Sequence, residues 1–130
     1  MAEFGEKSIQ RLNECHPELI RLFEEVIKHI DCTVLCGHRG LQDQQDFFLQ
    51  GKSKVQWPNS KHNKVPSLAA DVMPYPVDWF DNRRITYFAG IVKGIALNMG
   101  IKIRWGGDFN QNFNPSDETF HDLPHFELVD

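Results

Sequence analysis

The spacing of apolar residues predicts helices in the N-terminal part of the chain. Between Ser8 and Ile30 these residues recur every three or four positions, as they do on one face of a helix. Pro17 interrupts the run, and proline is tolerated in the first turn of a helix but not in its interior. We therefore predict a short helix that ends near Cys15 and a second helix that starts at Pro17.

Two further helices are predicted downstream. The segment "LQDQQDFFLQG" ends in Gly51, and glycine commonly follows the last turn of a helix. A longer amphipathic stretch begins at Asp78 or Asp81, either of which can cap a helix N-terminus, and it ends at Gly100. This stretch has the strongest helical pattern in the sequence.

Short apolar runs between and after these helices predict four strands: "CTVLC", "LAADVM", "IKIRW" and "PHFELV". Initial helices, followed by strands with one long helix between them, are typical of the α+β class. We expect residues 1–130 to form a single domain, with a small, mostly antiparallel sheet and helices packed on one side of it.

Composition and charge narrow the functional classes. The formal net charge is −4, and the basic residues form no stripe, so we expect no nucleic-acid partner. The N-terminus lacks the pattern of a secretory signal, and the most apolar late stretch is interrupted by Lys93 and is too short to span a bilayer. We therefore expect a cytoplasmic protein that is not bound to a membrane. We also expect a monomer.

The cysteines do not predict a disulfide framework, because there are three of them and they are sparse. Cys32, Cys36 and His38 resemble half of a structural zinc site, but no second pair of ligands follows at the required spacing. Buried free thiols are the simpler interpretation.

Three residues near predicted strand ends could form a metal site. His62 lies in a long polar loop, Asp71 lies in the strand that follows, and His125 lies at the start of the last strand. A hydrolytic zinc site needs three protein ligands and an open position for water. These residues supply the ligands if the strands "LAADVM" and "PHFELV" are neighbours in one sheet.

Such a site also needs a general base that is not a ligand. Asp122 lies three residues before His125, across Leu123 and Pro124, and could accept a proton from a water whose pKa zinc lowers to ~7. His121 lies beside it. From spacing alone, roles in caps and turns explain these residues equally well.

The motifs "SKHNKVPSLAADVMPY", "WGGDF" and "DLPHFEL" together resemble the zinc D-alanyl-D-alanine carboxypeptidase superfamily. The similarity is greatest to its phage endolysin branch, the L-alanyl-D-glutamate peptidases, and it implies a hedgehog/D,D-peptidase-like fold. The family pattern is Ser-x-His, then Ala-x-Asp, and later an acidic residue three positions before a histidine. The loop between His62 and Asp71 is longer than in the shortest form of this pattern.

The resemblance implies a role for each matching residue. It implies one zinc ion with three ligands: His62, Asp71 and His125. It implies Asp122 as the catalytic base, and Ser60 as a substrate contact. It also implies that Arg39 holds a substrate carboxylate or the developing oxyanion, and a guanidinium suits this because it keeps its charge. A surface salt bridge is the alternative role for Arg39.

The implied activity is hydrolysis of peptidoglycan stem peptides between L-alanine and D-glutamate during phage lysis. The enzyme would accumulate in the host cytoplasm and reach the cell wall after a holin permeabilises the membrane. Two alternatives remain open: a D-alanyl-D-alanine carboxypeptidase or dipeptidase on the same zinc site, and a zinc-stabilised wall-binding module without catalysis. Asp122 argues against the second, because a binding module needs no base beside its metal.

Two remaining features have mainly structural interpretations. Trp105 is expected in the core, although it could form a wall of the substrate pocket. Acidic and amide residues alternate from Asp108 to Asp117 as in a calcium loop, but the glycine and late glutamate of an EF-hand are missing from their positions. An Asx-rich turn is therefore favoured over a Ca²⁺ site.

Overall fold

The computed structural model of the protein describes residues 2–117 and 122–129, so His121 lies outside the described residues. The helices are α1 (Glu6–Leu12), α2 (Pro17–Val26), α3 (Leu41–Leu49) and α4 (Asn82–Met99). The strands are β1 (Cys32–Cys36), β2 (Ala69–Pro74), β3 (Ile103–Trp105) and β4 (His125–Leu128). Short 3-10 turns span Lys61–Asn63 and Pro115–Asp117.

Helix boundaries follow the local signals in the sequence. The second helix begins at Pro17, and the ring of His16 caps it by accepting a backbone N–H at 3.1 Å. Asp81 caps α4 in the same way, also at 3.1 Å. Gly100 ends α4 with φ of 72°, a left-handed conformation that glycine adopts without strain. The predicted helices are confirmed.

The strands form one antiparallel sheet in the order β1-β2-β4-β3. Thus β2 and β4, which are far apart in sequence, lie side by side at the centre. In their register Asp71 is directly opposite His125, and Ala70 is opposite Phe126. The predicted α+β class and the predicted pairing of these strands are confirmed.

One face of the sheet forms the hydrophobic core with the helices. Val72 of β2 and Phe126 of β4 are fully buried there. Phe23 of α2 and Phe88 of α4 contact the Phe126 ring edge-on, with centroid distances of 5.7 and 6.2 Å. Among the helices of residues 2–117 and 122–129, none is long and apolar enough to cross a membrane.

The opposite face of the sheet carries polar side chains. Successive side chains along a strand point to opposite faces. Asp71 therefore projects away from the core, and so do His125 and Glu127 of β4 and Arg104 of β3. The segment from α3 to β2 brings His62 to this face, where its carbonyl accepts the backbone N–H of Arg39 at 2.8 Å.

Candidate metal centre and active site

Three side chains converge on the polar face of the sheet. His62 Nε2 lies 3.0 Å from Asp71 Oδ1 and 3.2 Å from His125 Nδ1. The distance from His125 Nδ1 to Asp71 Oδ1 is 3.4 Å. Among the described residues this is the one group whose ligand atoms are close enough to hold a metal ion, all within 4.8 Å of one another. It consists of the residues predicted from sequence.

Local structure positions each of these ligands. Asp71 and His125 are neighbours because β2 and β4 pair in that register. His62 lies in the 3-10 turn, whose N-terminus Ser60 caps: the Ser60 hydroxyl accepts the His62 backbone N–H at 3.2 Å. In return Asn63 accepts the backbone N–H of Ser60 at 3.0 Å. Two ligands therefore lie on a rigid sheet and the third on a capped turn.

The outer nitrogen of each histidine has its own acceptor. His62 Nδ1 donates to the carbonyl of Gly37 at 2.7 Å, and His125 Nε2 donates to Glu127 Oε1 at 2.7 Å. These bonds leave the inner nitrogens, His62 Nε2 and His125 Nδ1, facing one another beside Asp71. In the neutral form of each ring, the inner nitrogen carries the lone pair that can coordinate a metal ion. The donor set and its outer hydrogen bonds fit a divalent metal ion such as zinc.

The electrostatics of the group favour a cation. Burial alone would lower the pKa of His62, but the Asp71 carboxylate outweighs it and raises the pKa to about 10. Burial would raise the pKa of Asp71, yet the charge and hydrogen bonds of His62 and His125 hold it well below its usual range. A proton therefore occupies His62 when no metal does, and a metal ion must displace it.

Asp122 stands next to this group without belonging to it. Its Oδ2 lies 3.8 Å from His125 Nδ1. Burial and the nearby charge of Asp71 raise the pKa of Asp122 to about 6. The turn that carries it is held by Gly106, whose carbonyl accepts the Asp122 backbone N–H at 2.8 Å. A carboxyl group with this pKa can take up and release a proton near neutral pH.

Arg39 is buried beside Asp71, one of the candidate metal ligands. One of its terminal nitrogens lies 3.3 Å from Asp71 Oδ2, and the other donates to Gln44 at 3.1 Å. The guanidinium stacks over the ring of Phe47 at 4.3 Å. Its exposed fraction is 8%, so the ion pair with Asp71 is not a surface salt bridge.

The two predicted substrate contacts differ in location. Ser60 lines a cavity at the site, although its hydroxyl also caps the turn of His62. Trp105 is buried in the core, and its indole N–H donates to the carbonyl of Leu123 at 2.7 Å. This location agrees with the structural interpretation of Trp105, which supports the segment between Asp122 and His125. A substrate contact by Trp105 stays a prediction.

Two functional neighbours were missed by the sequence reasoning. Glu127 receives the outer N–H of His125 and is itself held by Arg104 at 2.7 Å. Glu127 could have been predicted from the sequence, because it follows His125 by two residues on a strand and therefore lies on the same face of the sheet. Gln44 is fully buried and links Arg39 to the Val55 carbonyl. No sequence pattern reveals Gln44, since its partners come from separate loops.

The other candidate ligands have structural roles. Cys32 is buried in the core, and Cys36 places its sulfur 3.9 Å from His62 Nδ1, outside the converging group. In the loop after β3, the Asp108 carboxylate accepts the backbone N–H of Phe113 at 2.8 Å. Asn112 and Asn114 each accept a backbone N–H two residues further on, at 2.9 and 3.1 Å. The predicted Asx-rich turn is confirmed over this described part of the loop.

Two cavities open at the converging residues. The basic cavity has a volume of about 500 Å³, and its charged lining residues are Arg39, Lys54, Lys61, Arg104, Asp122 and Glu127. The apolar cavity has a volume of about 490 Å³, and its apolar lining residues are Leu35, Phe47, Trp79 and Pro124. Arg39 and Asp122 line both cavities, so the cavities meet beside the candidate metal ligands.

The fold and the site together define a class: an α+β protein with a His-Asp-His group on the open face of its sheet and a separate carboxyl group beside it. Comparison with known families is consistent with this class. The family model for phage L-alanyl-D-glutamate peptidases matches residues 1–129, and the chain belongs to that family.

Two relatives extend the comparison. The L-alanyl-D-glutamate peptidase of Escherichia phage T5 is 27% identical over 135 aligned positions, which cover 98% of each chain. The crystal structure of the Serratia marcescens L-Ala D-Glu endopeptidase ChiX superposes with a TM-score of 0.76 at 26% identity. That superposition covers 98% of this chain and 90% of the ChiX chain.

Proposed function

We propose that the protein is an L-alanyl-D-glutamate peptidase that hydrolyses the stem peptides of peptidoglycan, with residues 1–130 as a single catalytic domain. It would use one zinc ion, with His62, Asp71 and His125 as ligands. One observation carries the proposal: the β2-β4 register places Asp71 opposite His125, and the capped turn brings His62 to within 3.2 Å of both. Family membership supplies the substrate.

The protein side chains around the group have separate tasks in this reaction. A zinc ion, when bound, supplies the Lewis acidity that polarises the scissile carbonyl and acidifies a water molecule. Asp122 accepts the proton of the attacking water and delivers it to the nitrogen of the leaving D-glutamyl residue. Its pKa of about 6 suits both steps, because the carboxyl group must be ionised before attack and protonated before departure.

Arg39 would act on negative charge at the reacting carbonyl. Its guanidinium lies between the two cavities and already pairs with Asp71 on one edge. The stacking on Phe47 and the bond to Gln44 hold the group rigid, so little reorganisation is needed when charge develops. Ser60 would contribute by lining the cavity and by holding the turn of His62.

The biological setting that we propose is phage lysis. A monomeric enzyme would accumulate in the host cytoplasm and act on the cell wall after a holin permeabilises the membrane. The formal charge of −4 gives no electrostatic reason for a nucleic-acid partner.

Digestion of purified peptidoglycan tests the activity and the bond together. The zinc-loaded protein should release fragments with new L-alanine carboxyl ends and new D-glutamate amino ends, identified by mass spectrometry. Release of D-alanine would instead identify the D-alanyl-D-alanine carboxypeptidase alternative. Tight binding to the wall without new ends would identify a binding module. Full hydrolysis by chelator-treated, metal-free protein would contradict the zinc proposal.

A further inference from the structure

The basic and apolar cavities lie on opposite sides of the metal-binding residues along the sheet. In the order β1-β2-β4-β3, Asp71 and His125 occupy the two central strands. Leu35 of β1 lines the apolar cavity, whereas Arg104 of β3 lines the basic cavity. A peptide that crosses the site along the sheet would place one side of its scissile bond in each cavity.

The two cavities differ in charge. The basic cavity is lined by four basic residues and two acidic ones, Asp122 and Glu127, if the histidines are counted as neutral. The apolar cavity has two basic residues, Arg39 and Lys52, and two acidic ones, Asp71 and Asp122. The excess of positive charge is therefore found on the basic side only.

The two sides of the L-alanyl-D-glutamyl bond, from which the family takes its name, also differ in charge. The alanyl side presents a methyl group. The glutamyl side has two carboxyl groups, and the peptide chain continues through only one of them. The other carboxyl group can therefore be a free anion. A carboxylate binds more favourably beside lysine and arginine than beside aromatic rings. A methyl group or an acyl chain binds more favourably against the apolar lining.

Building on the proposed function, we propose that the D-glutamyl residue binds in the basic cavity and the L-alanyl residue, with the acyl group on its nitrogen, binds in the apolar cavity. Lys54 and Lys61 are assigned to the glutamyl carboxylate. Arg104 pairs with Glu127 at 2.7 Å, whereas Lys61 lies 3.7 Å from the same carboxylate and donates to the backbone carbonyl of Leu128. A lysine side chain is flexible enough to turn toward a substrate anion.

The experiment pairs two variants with two synthetic substrates. Both substrates contain an N-acyl-L-alanyl-D-glutamyl bond, and they differ only in whether the glutamyl carboxyl group outside the chain is free or amidated. For the zinc-loaded Lys54→Met and Lys61→Met proteins we expect kcat/KM on the acid to fall about tenfold, mainly through KM. On the amide it should change less than about twofold. Lys64→Met, an exposed lysine of the same loop that lines neither cavity, is the matched control.

Comparing the loss of activity on the two substrates shows whether the lysines bind the carboxylate or only stabilise the site. If each lysine variant loses equal activity on acid and amide, the lysines support the site without binding the carboxylate, and the assignment is wrong. If Lys52→Met is the selective variant, the substrate runs in the opposite direction. If the unmodified protein with zinc cleaves neither substrate, the proposed function itself fails, and the assignment fails with it.

A second, independent experiment tests the role of the apolar cavity. Trp79 lines the apolar cavity, while the adjacent Phe80 is 95% exposed and lines neither cavity. Trp79→Ala should lower kcat/KM on the N-acylated substrate more than on a substrate that begins with a free L-alanine. Phe80→Ala should leave both values unchanged. If Trp79→Ala instead changed the ratio of kcat/KM between the acid and the amide more than the ratio between the acylated and the free L-alanine substrates, the assigned direction would be wrong.

Discussion

At the scale of single residues, Asp122 lies beside the candidate metal ligands but has a different electrostatic environment. The carboxyl group of Asp71 is held ionised by two histidines, whereas burial and the charge of Asp71 raise the pKa of Asp122 to about 6. Two residues of the same type therefore differ in pKa because of their neighbours. This difference underlies the proposed division between a ligand and a base.

Replacement of Asp122 should separate metal binding from catalysis. Asp122→Asn keeps the size of the side chain but cannot accept a proton, so kcat should fall by about 10²- to 10⁴-fold while zinc content stays at one per chain. Steady-state kinetics and metal analysis of the same preparation measure both quantities. Asp43→Asn, at an exposed position of α3, is the control. Unchanged kcat in Asp122→Asn would rule out its role as base.

Glu127 should affect metal binding through His125. The carboxylate holds the His125 ring at 2.7 Å, and loss of such an outer hydrogen bond typically weakens metal affinity by about 10- to 100-fold. We expect this loss in Glu127→Ala, measured by competition with a chromophoric chelator, and a partial recovery in Glu127→Gln, which retains an acceptor. Glu24→Gln, an exposed position of α2, is the control. Equal affinity in all variants would show that the ring is oriented by other contacts.

At the scale of secondary structure elements, the turn before β4 positions Asp122 relative to His125. Gly106 donates its N–H to the His125 carbonyl at 2.7 Å and accepts the Asp122 N–H at 2.8 Å. A Cβ at Gly106 would lie 1.9 Å from the Asp122 carbonyl oxygen, far inside contact distance. The two chain segments can approach this closely only because residue 106 has no side chain.

Two glycine substitutions should therefore have opposite effects. Gly106→Ala should lower the free energy of unfolding by about 2 kcal/mol or more, because the backbone of the turn must move. Gly90→Ala, in the exposed interior of α4 with open space around the new methyl group, should raise it by about 0.5–1 kcal/mol. Urea unfolding of both variants measures this. Equal stability of Gly106→Ala and the parent would mean that the turn is not tightly packed.

At the scale of the whole molecule, metal binding should be linked to pH. The Asp71 carboxylate raises the pKa of His62 to about 10, so the metal-free protein carries a proton there at neutral pH. Zinc requires the neutral imidazole and must displace this proton, so its apparent affinity falls as the pH is lowered, by up to about tenfold per pH unit for each proton displaced. Calorimetry in buffers with different ionisation enthalpies counts the protons released. Affinity independent of pH between about 6 and 8 would contradict this linkage.

Much of the fold could be predicted from local signals. Pro17 and Gly100 mark helix ends through constraints on their own backbone, and alternation within β2 and β4 determines which side chains share a face. The candidate metal ligands could also be named in advance, because they match a family pattern. Glu127 could have been added by the same alternation rule.

Features that depend on contacts between distant segments of the chain could be seen only in the tertiary structure. The sequence by itself determined the elements, the α+β class and the identity of His62, Asp71 and His125 as candidates, because these depend on residue type and spacing. Only the folded chain decided that the Trp105 indole donates to the Leu123 carbonyl, that Gln44 contacts Arg39, and that a basic and an apolar cavity flank the site. Burial and long-range pairing create these features, and no short stretch of sequence contains both partners.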